Sequence, residues 1–289
     1  MITVTLAKEV PVRGVFNCRR GRFSGFIESG GALFCRILGG RVDNLETVYR
    51  ALLQAEPASD ELARLEAFKL RYQIYCLERG YEDPARFPDG KEHDHFDGRA
   101  RHVLVSARHQ RRPLGTSRLV LDDGFPGSLP IEQHGSVSIA RQLARAREHG
   151  GAQLAEVSRL AVTRELPSAT QELGLVDENI ERLQLRQAHV TMGLVALLFH
   201  QSWKADVTHW VALMAPALLR VMARIGLHLY PIGAVVEHRG LRQPVMARVD
   251  DLWAGVNRQS AHLAQLVHAL GVPAEPNWVR TEVAYAKSP

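Results

Sequence analysis

The chain has 289 residues, of which 46% are hydrophobic and 23% charged. This composition is that of a globular protein long enough to bury a sizeable core. Its net charge of +5 suits an anionic partner such as an acidic protein. It has neither a basic tail nor an aromatic-rich nucleic-acid module, and no apolar run approaches the ~20 residues of a membrane span. We therefore predict neither a nucleic-acid partner nor an integral membrane segment.

The three cysteines, Cys18, Cys35 and Cys76, are few and lack metal-type spacing. A sparse, odd set of cysteines fits a reducing compartment. The N-terminus has no apolar core followed by a small-residue cleavage site. We expect a cytoplasmic protein.

Three parts of the chain differ in pattern. Glycines and arginines crowd residues 1–43 without an apolar period, so we expect a poorly ordered leader there. Residues 44–258 carry periodic apolar segments and are predicted to form one domain. Residues 259–289 are predicted to form a C-terminal helix and a proline-broken tail.

The first elements are predicted to be helical. A short helix is expected over residues 44–53, and Asp60 is a suitable N-cap for a second one. Apolar residues at helical spacing continue that helix to Gly80, a plausible C-terminal cap. Arg71 then lies near the core side, one turn from Tyr75.

A β-hairpin is predicted next. Residues 102–108 and 114–121 flank a polar turn, and Arg118 lies in the second strand. The segment before the hairpin, KEHDHFDG, holds three clustered carboxylates: Glu92, Asp94 and Asp97.

A helix over residues 138–148 and a strand over residues 154–162 follow. In that strand Glu156 and Arg159 are three positions apart, which in regular geometry places them on opposite faces. A β-bulge would bring both toward one site, and bulges are common beside active sites.

The remaining segments alternate between buried helices and strands. Together they predict an α/β (α+β) sandwich around a mixed sheet. The expected elements are a loop over 164–180, a long buried helix over 180–203, a strand over 208–214, a helix from Pro216 to Gly226, short strands over 227–232 and 234–238, another short segment over 248–256 and a helix over 259–270.

Nine residues stand out because charged and aromatic side chains gather around apolar elements. An arginine can bind a carboxylate with two hydrogen bonds, and an aspartate or glutamate can hold an ammonium group and accept its proton. The set therefore suits a zwitterionic substrate, and equally a buried ion-pair network that ties down a loop. The nine are Arg71, Tyr75, Tyr81, Glu92, Asp94, Asp97, Arg118, Glu156 and Arg159.

The order of these residues resembles a known group of enzymes. R-x-x-x-Y, E-x-D-x-x-D, an arginine in G-T-x-R-L and E-x-S-R-L-A-V are similar to the acyl-homoserine-lactone autoinducer synthases and the N-acyl amino acid synthases. The similarity is closer to the acyltransferases associated with PEP-CTERM/exosortase systems. It covers about residues 61–256, in the blocks RYQIYCLERGYED, FPDGKEHDHFD, PIEQH, EVSRLAV, THWVALMAPALLR and EHRGLRQP.

The resemblance implies a GNAT-like fold, with a mixed central sheet flanked by helices, and transfer of a fatty acyl chain to an amine. It implies that Glu156 accepts the amine proton, as could Asp94 through water, and that Arg159 belongs to the catalytic group. A backbone N–H near residues 157–160 would polarise the thioester carbonyl. The substrate-binding residues it implies are Arg71, Tyr75, Tyr81, Glu92, Asp97 and Arg118.

Tyr75 and Tyr81 stand where the autoinducer synthases generally have Phe and Trp. This departure favours a free amino acid over S-adenosylmethionine as acceptor. Arg71, Arg118 and Arg159 are expected either to hold the acceptor carboxylate or to brace the acidic loop.

The resemblance also implies the acyl donor, which is a substrate rather than a bound cofactor. The donor is an acyl carrier protein or acyl-CoA thioester. The Gly-rich R-x-x-G-x-G/A loop of CoA-using GNAT enzymes is absent after residues 154–162, where the sequence is TRELPSATQELG. This difference and the net positive charge favour the acidic carrier protein.

Three alternatives remain open at this point. Glu92, Asp94 and Asp97 with the intervening histidines could form a metal site of a hydrolase, although we assign no metal. Cys76 could accept an acyl group, although a buried helix thiol is the simpler role. The chain could also be a catalytically silent GNAT-like binding module.

Overall fold

The computed structural model describes residues 45–134, 137–148, 151–168, 171 and 185–270. The predicted leader and the tail beyond residue 270 lie outside the described residues. So do much of the predicted loop over 164–180 and the predicted first turn of the long helix.

Seven α-helices are described. They are α1 (Leu45–Ala51), α2 (Glu61–Arg71), α3 (Val137–Glu148), α4 (Gln187–Trp203), α5 (Pro216–Ala223), α6 (Val249–Gln259) and α7 (Ala261–Ala269). Helix α2 continues directly into a π-helix, Tyr72–Glu78, and 3₁₀ turns cover Pro84–Arg86, His95–Arg99 and Pro130–His134.

The described strands form one eight-stranded mixed sheet. They are β1 (Leu53–Pro57), β2 (Ala100–Ala107), β3 (Pro113–Leu121), β4 (Leu154–Val162), β5 (His209–Met214), β6 (Tyr230–Pro231), β7 (Val236–Glu237) and β8 (Leu241–Arg248). Strands β1 to β4 are antiparallel neighbours in chain order, β4 and β5 are parallel, and β5 continues antiparallel to β8. Strands β6 and β7 pair with β8.

The sheet is covered on both faces. Because successive residues of a strand face opposite ways, β3 sends Leu119 to the core under α4, α6 and α7. Its neighbour Val120 faces the second core, to which Ile139 and Leu143 of α3 contribute. Arg118, two positions from Val120, is therefore on the α3 face of the sheet. The predicted α/β class with a mixed sheet flanked by helices is confirmed.

The position of helix α4 in the fold explains why its sequence is apolar on all sides. Nearly all of its residues from Ala188 to Ser202 are buried, because the sheet covers one side and α6 and α7 the other. No helix among the described residues combines the length and apolar character needed to cross a bilayer.

Several predicted elements need correction. Strands β1 and β8 were not expected, and residues 249–256, predicted as a short closing segment, belong to helix α6. Strand β8 was not predicted because it contains Pro244, and a proline inside a segment argues against a strand. In the structure Pro244 is nevertheless paired with Leu213 of β5. The predicted strands over 227–232 and 234–238 shrink to two residues each.

Two local features of the sheet position the site. Strands β4 and β5 pair only as far as Glu156 and Val211, so beyond this point they part. In β4 the register shifts, with Arg118 opposite Ser158 but Thr116 opposite Ala161. This is the predicted β-bulge.

Candidate active site

Six of the nine predicted residues form a closed network of ion pairs. Each of the three arginines bonds to two of the three carboxylates, and each carboxylate bonds to two arginines. The network joins α2, the acidic loop, β3 and β4 through Arg71, Glu92, Asp94, Asp97, Arg118 and Arg159.

Arg71 is almost fully enclosed, with a side chain 1% exposed. Its Nε lies 2.5 Å from Glu92 Oε2, and its Nη1 and Nη2 lie 2.7 and 3.2 Å from the two carboxylate oxygens of Asp97. All three guanidinium nitrogens of Arg71 are therefore already engaged. Glu92 itself is 0% exposed, so this end of the network is shut off from solvent.

Arg118 is engaged in the same way. Its Nη1 and Nη2 donate to Asp94 Oδ1 and Oδ2 at 2.6 and 2.8 Å, and Nη1 also donates to Asp97 Oδ1 at 2.6 Å. Its Nε donates to Ser158 Oγ at 3.1 Å. Ser158 was not predicted, although it is the serine of the E-x-S-R block.

Arg159 lies at the bulge with a positive φ of 53°, a conformation that costs free energy in a residue with a side chain. Its Nη2 donates to Glu92 Oε1 at 3.0 Å and to Asp94 Oδ2 at 3.2 Å. These bonds hold the unusual backbone in place. The network therefore fixes the bulge as well as the loop.

The loop also braces itself. Asp94 Oδ1 accepts the Phe96 N–H, and Asp97 Oδ2 accepts the Asp94 N–H at 2.8 Å, which together form a capping box for the 3₁₀ turn. Burial opposes ionisation of Asp97, but the charges of Arg71 and Arg118 hold its pKa well below the usual value. The pKa of Glu92 and that of Asp94 are lowered in the same way.

The parted strands open a cavity of about 450 Å³. One wall is β4 from Val157 to Leu160, and the opposite wall is β5 from Ala212 to Met214 with the first turn of α5. Tyr75, Tyr81, Glu156 and Arg159 line this cavity, whereas the other five predicted residues do not. The structure thus divides the predicted set into a lining group and a bracing group.

Among the described residues that line the cavity, Glu156 is the only acidic one. Glu156 is 3% exposed, and its Oε2 accepts the Ile131 N–H at 2.6 Å. Burial raises the pKa of Glu156 to about 8, against the lowering effects of the Ile131 N–H and the charges of Arg118 and Arg159. Once ionised, a carboxylate with this pKa is a strong enough base to take a proton from an amine.

The two predicted tyrosines line the cavity from the π-helix and the loop that follows it. Tyr75 Oη donates to the Leu160 carbonyl at 3.2 Å, and the rings of Tyr75 and Tyr81 are 6.2 Å apart. Continuation of the helix as a π-helix is a departure from the expected α-helix, and such segments occur often at functional sites.

Several residues around the cavity were not predicted from the sequence. Glu82 is bonded to Arg239 and lies 3.8 Å from Arg159 Nη2, so it joins the bulge to the β7–β8 turn. His134 and His238 line the cavity with ring centroids 3.9 Å apart. These positions come together only through β8, which the sequence did not predict.

Two alternative types of site, a metal site and a cysteine nucleophile, can be compared with the structure. Glu92, Asp94 and Asp97 direct their oxygens at arginines, and the described residues contain no group of three His, Cys, Asp or Glu side chains with metal-holding geometry. Cys76 is buried, and burial raises the pKa of its thiol, which disfavours the thiolate form that a nucleophile needs.

Comparison with known proteins gives one family match. Residues 66–176 match the model of a family described as N-acyl amino acid synthase FeeM. All nine predicted residues lie inside this range, and the match indicates that the chain is an acyltransferase. Together with the mixed, helix-flanked sheet, it confirms the predicted GNAT-like acyltransferase fold. None of the curated proteins compared matches the chain.

Three of the solved structures that match this chain are synthases of low sequence identity. FeeM, an N-acyl amino acid synthase from uncultured soil microbes, is 16% identical over 70% of this chain and 93% of that chain, with a TM-score of 0.48. BjaI, a CoA-dependent acyl-homoserine lactone synthase solved with SAM and isopentyl-CoA, is 18% identical over 78% and 91%, with a TM-score of 0.47. LasI, an AHL synthase, is 18% identical over 71% and 95%, with a TM-score of 0.42.

Proposed function

We propose that the protein transfers a fatty acyl chain from a thioester to the amine of an amino acid or similar small acceptor. The amine nitrogen attacks the thioester carbon, a C–N bond forms, and the C–S bond breaks. Glu156 accepts the proton that the nitrogen loses, and the released thiolate takes up a proton. No bound metal or cofactor is required.

One observation carries this proposal. A buried carboxyl, that of Glu156, lies where β4 and β5 part, on the wall of a cavity large enough for an acyl thioester. Its pKa of about 8 is suited to an amine substrate. Asp94 is a weaker candidate for the base, because both of its oxygens are bonded to Arg118.

We infer that the network acts as a brace. Arg71, Arg118, Glu92 and Asp97 are engaged with one another and stand away from the cavity lining, which supports the bracing alternative over binding of an acceptor carboxylate. Arg159 has a double role in this proposal, since it lines the cavity and also fixes the bulge. Tyr75 and Tyr81 form part of the substrate wall.

The donor in this proposal is an acyl carrier protein thioester, with acyl-CoA as the alternative. The net charge of +5 suits an acidic carrier, and the Gly-rich loop that would bind a CoA pyrophosphate is absent from the sequence. We further propose a cytoplasmic enzyme of a PEP-CTERM/exosortase system, on the resemblance of its sequence blocks.

Release of thiol from acyl donors tests the proposal. The wild-type protein should release carrier thiol from long-chain acyl carrier protein only when amino acids are present, and Glu156→Gln should lose this activity while keeping its fold by circular dichroism. Arg220→Gln, an exposed change on α5, should behave as wild type. Thiol release at the same rate in wild type and Glu156→Gln would reject the mechanism, and no release from any donor would favour a binding module.

A further inference from the structure

The arginines that line the cavity carry more positive charge than the neighbouring carboxylates neutralise. Four arginines line it, namely Arg79, Arg159, Arg239 and Arg242. Arg159 bonds to Glu92 and Asp94, and Arg239 bonds to Glu82. Glu156, the acidic residue on the wall, is largely protonated at neutral pH because its pKa is about 8. The surplus charge therefore falls on Arg79 and Arg242.

Arg79 and Arg242 have no carboxylate partner within the part of the chain that the structure describes. The guanidinium of Arg79 lies 5.9 Å from the centre of the Tyr81 ring. Among the described residues, Arg242 donates only to backbone carbonyls, those of Arg239 at 2.6 Å and Leu241 at 3.0 Å. Both side chains are half-buried. Partly buried arginines held in place without a counter-charge are suited to bind an anion.

Two neutral imidazoles stand beside this charge. Burial, the neighbouring imidazole of His134 and the charges of Arg239, Arg159 and Arg242 lower the pKa of His238 to about 4. The pKa of His134 is also lowered, by burial and by Arg239 and Arg159. Both rings therefore stay neutral at pH 7 and can donate an N–H to an anion without adding charge of their own.

The remainder of the lining is largely apolar. Leu160 on one wall, Leu213, Met214 and Leu218 on the other, and Leu241 face the same cavity. A ligand that fits both halves has an apolar chain and an anionic end. The acceptor of the proposed reaction acquires this form as soon as it is acylated.

We propose that Arg79 and Arg242, with His238, form a subsite for the carboxylate of the acceptor and of its acylated product. This inference rests on the proposed function and names its substrate class: an acceptor with an acid group, not a simple amine. The arginines that the sequence singled out for binding this carboxylate are engaged in the brace. In this proposal the subsite takes that role.

Binding of two product analogues to the full chain tests the subsite without any turnover. The probes are N-dodecanoylglycine, which has the carboxylate, and N-dodecanoylglycinamide, which does not, measured by calorimetry at pH 7. We expect the acid to bind wild type about 10- to 100-fold more tightly, the range of one or two charge-assisted hydrogen bonds. Arg242→Gln and Arg79→Gln should weaken the acid about tenfold and leave the amide unchanged.

Arg220→Gln is the matched control, since it removes one positive charge from exposed surface beside the cavity. It should retain the wild-type preference for the acid. Binding of the acid should also raise the pKa of His238, seen by NMR titration of its ring proton. Equal affinity for acid and amide, or equal weakening of both in Arg242→Gln, would overturn the subsite.

A third arm separates the acceptor carboxylate from a donor phosphate. Arg242→Gln is compared on dodecanoyl-CoA, which has phosphates, and on S-dodecanoyl-N-acetylcysteamine, which has none. Weakening of the CoA thioester alone, with the acid probe unaffected, would overturn the carboxylate assignment. If the enzyme shows no turnover but still prefers the acid probe, the proposed function fails while the subsite stands.

Discussion

At the scale of single residues, Glu156 is set apart from the other carboxylates by its surroundings. Glu92, Asp94 and Asp97 each have two arginines within bonding distance, and their pKa values are lowered despite burial. Glu156 accepts one backbone N–H and forms no direct ion pair with the described residues, so burial prevails and raises its pKa. Carboxyl groups whose environments push their pKa values apart commonly have different roles.

The activity should follow ionisation of Glu156. Because a general base must be deprotonated, kcat/KM should rise with pH through about 8. In Glu156→Gln the rate should fall by about 10²- to 10⁴-fold, and the limb near pH 8 should vanish, leaving only ionisation of the acceptor amine. The pH–rate profiles of both proteins check this, and an unchanged limb in the variant would contradict it.

The pH dependence of the protein's stability should reveal the raised pKa of Glu156 without any substrate. Glu156 titrates near 4.5 in an unfolded chain and near 8 when folded, so its contribution is present below pH 4.5 and lost as pH rises to about 8. Glu156→Gln, which does not titrate, should gain in Tm relative to wild type across that window. Thermal melts of both proteins at pH 5, 6.5 and 8 measure the difference.

The buried ion pairs of the brace should contribute more to the free energy of unfolding than an exposed ion pair does. Asp97→Asn leaves Arg71 and Arg118 short of a buried partner, so we expect a loss of about 3–5 kcal/mol in the free energy of unfolding at pH 7. The matched control is Glu66→Gln, which breaks an exposed pair with Lys69 and should cost less than about 1 kcal/mol. Urea denaturation measures both.

The sign of the pH dependence distinguishes the brace from Glu156. The folded pKa of Asp97 lies below its ordinary 3.8, so its stabilising effect is present above about pH 4 and lost as pH falls further. The difference between wild type and Asp97→Asn should therefore shrink in acid. A difference that stays constant down to pH 2 would show that the charge of Asp97 is unimportant.

At the scale of elements, a second charged cluster positions the backbone that bonds to Glu156. Arg147 on α3 donates to Asp122 at 2.8 Å and to Glu132 at 3.0 Å. Glu132 lies in the 3₁₀ turn whose Ile131 N–H donates to Glu156. The turn is thus held from behind by Arg147 while its front contacts the proposed base.

Arg147→Gln should loosen this turn and weaken the Ile131 N–H bond to Glu156. Since that bond lowers the pKa of Glu156, the limb of the pH–rate profile should shift above 8, with partial rescue by Arg147→Lys. Arg141→Gln, exposed on the same helix, should leave the profile unchanged. A lower rate in Arg147→Gln without any shift of the limb would limit Arg147 to a structural role.

Elements with a strong periodic pattern were predictable from sequence. The hairpin of β2 and β3, helix α4 and the β4 bulge were all expected, because the polar turn, the apolar length and the Glu156–Arg159 spacing indicate them locally. Strand β1 is short and contains a glutamate, and β8 carries a proline. Their pairing is decided by neighbours distant in the chain, which local pattern does not contain.

At the scale of the whole molecule, the fold builds the site by holding two strands together at one end and apart at the other. The eight-stranded sheet pairs β4 with β5 as far as Glu156, and the bulge fixed by the brace directs β4 away beyond it. The sequence alone indicated which residues were unusual, through their order and spacing. It could not separate the bracing arginines from the cavity arginines, because only the three-dimensional pairing of charges distinguishes them.

Product mass spectrometry tests the central claim most directly. The protein is incubated with a ¹³C-labelled long-chain acyl carrier protein thioester and pooled amino acids, alongside Glu156→Gln. We predict one or more N-acyl amino acids that carry the labelled chain, formed by wild type and not by the variant. Labelled free fatty acid in place of an acylated amine would contradict the account, as would products formed equally well by Glu156→Gln.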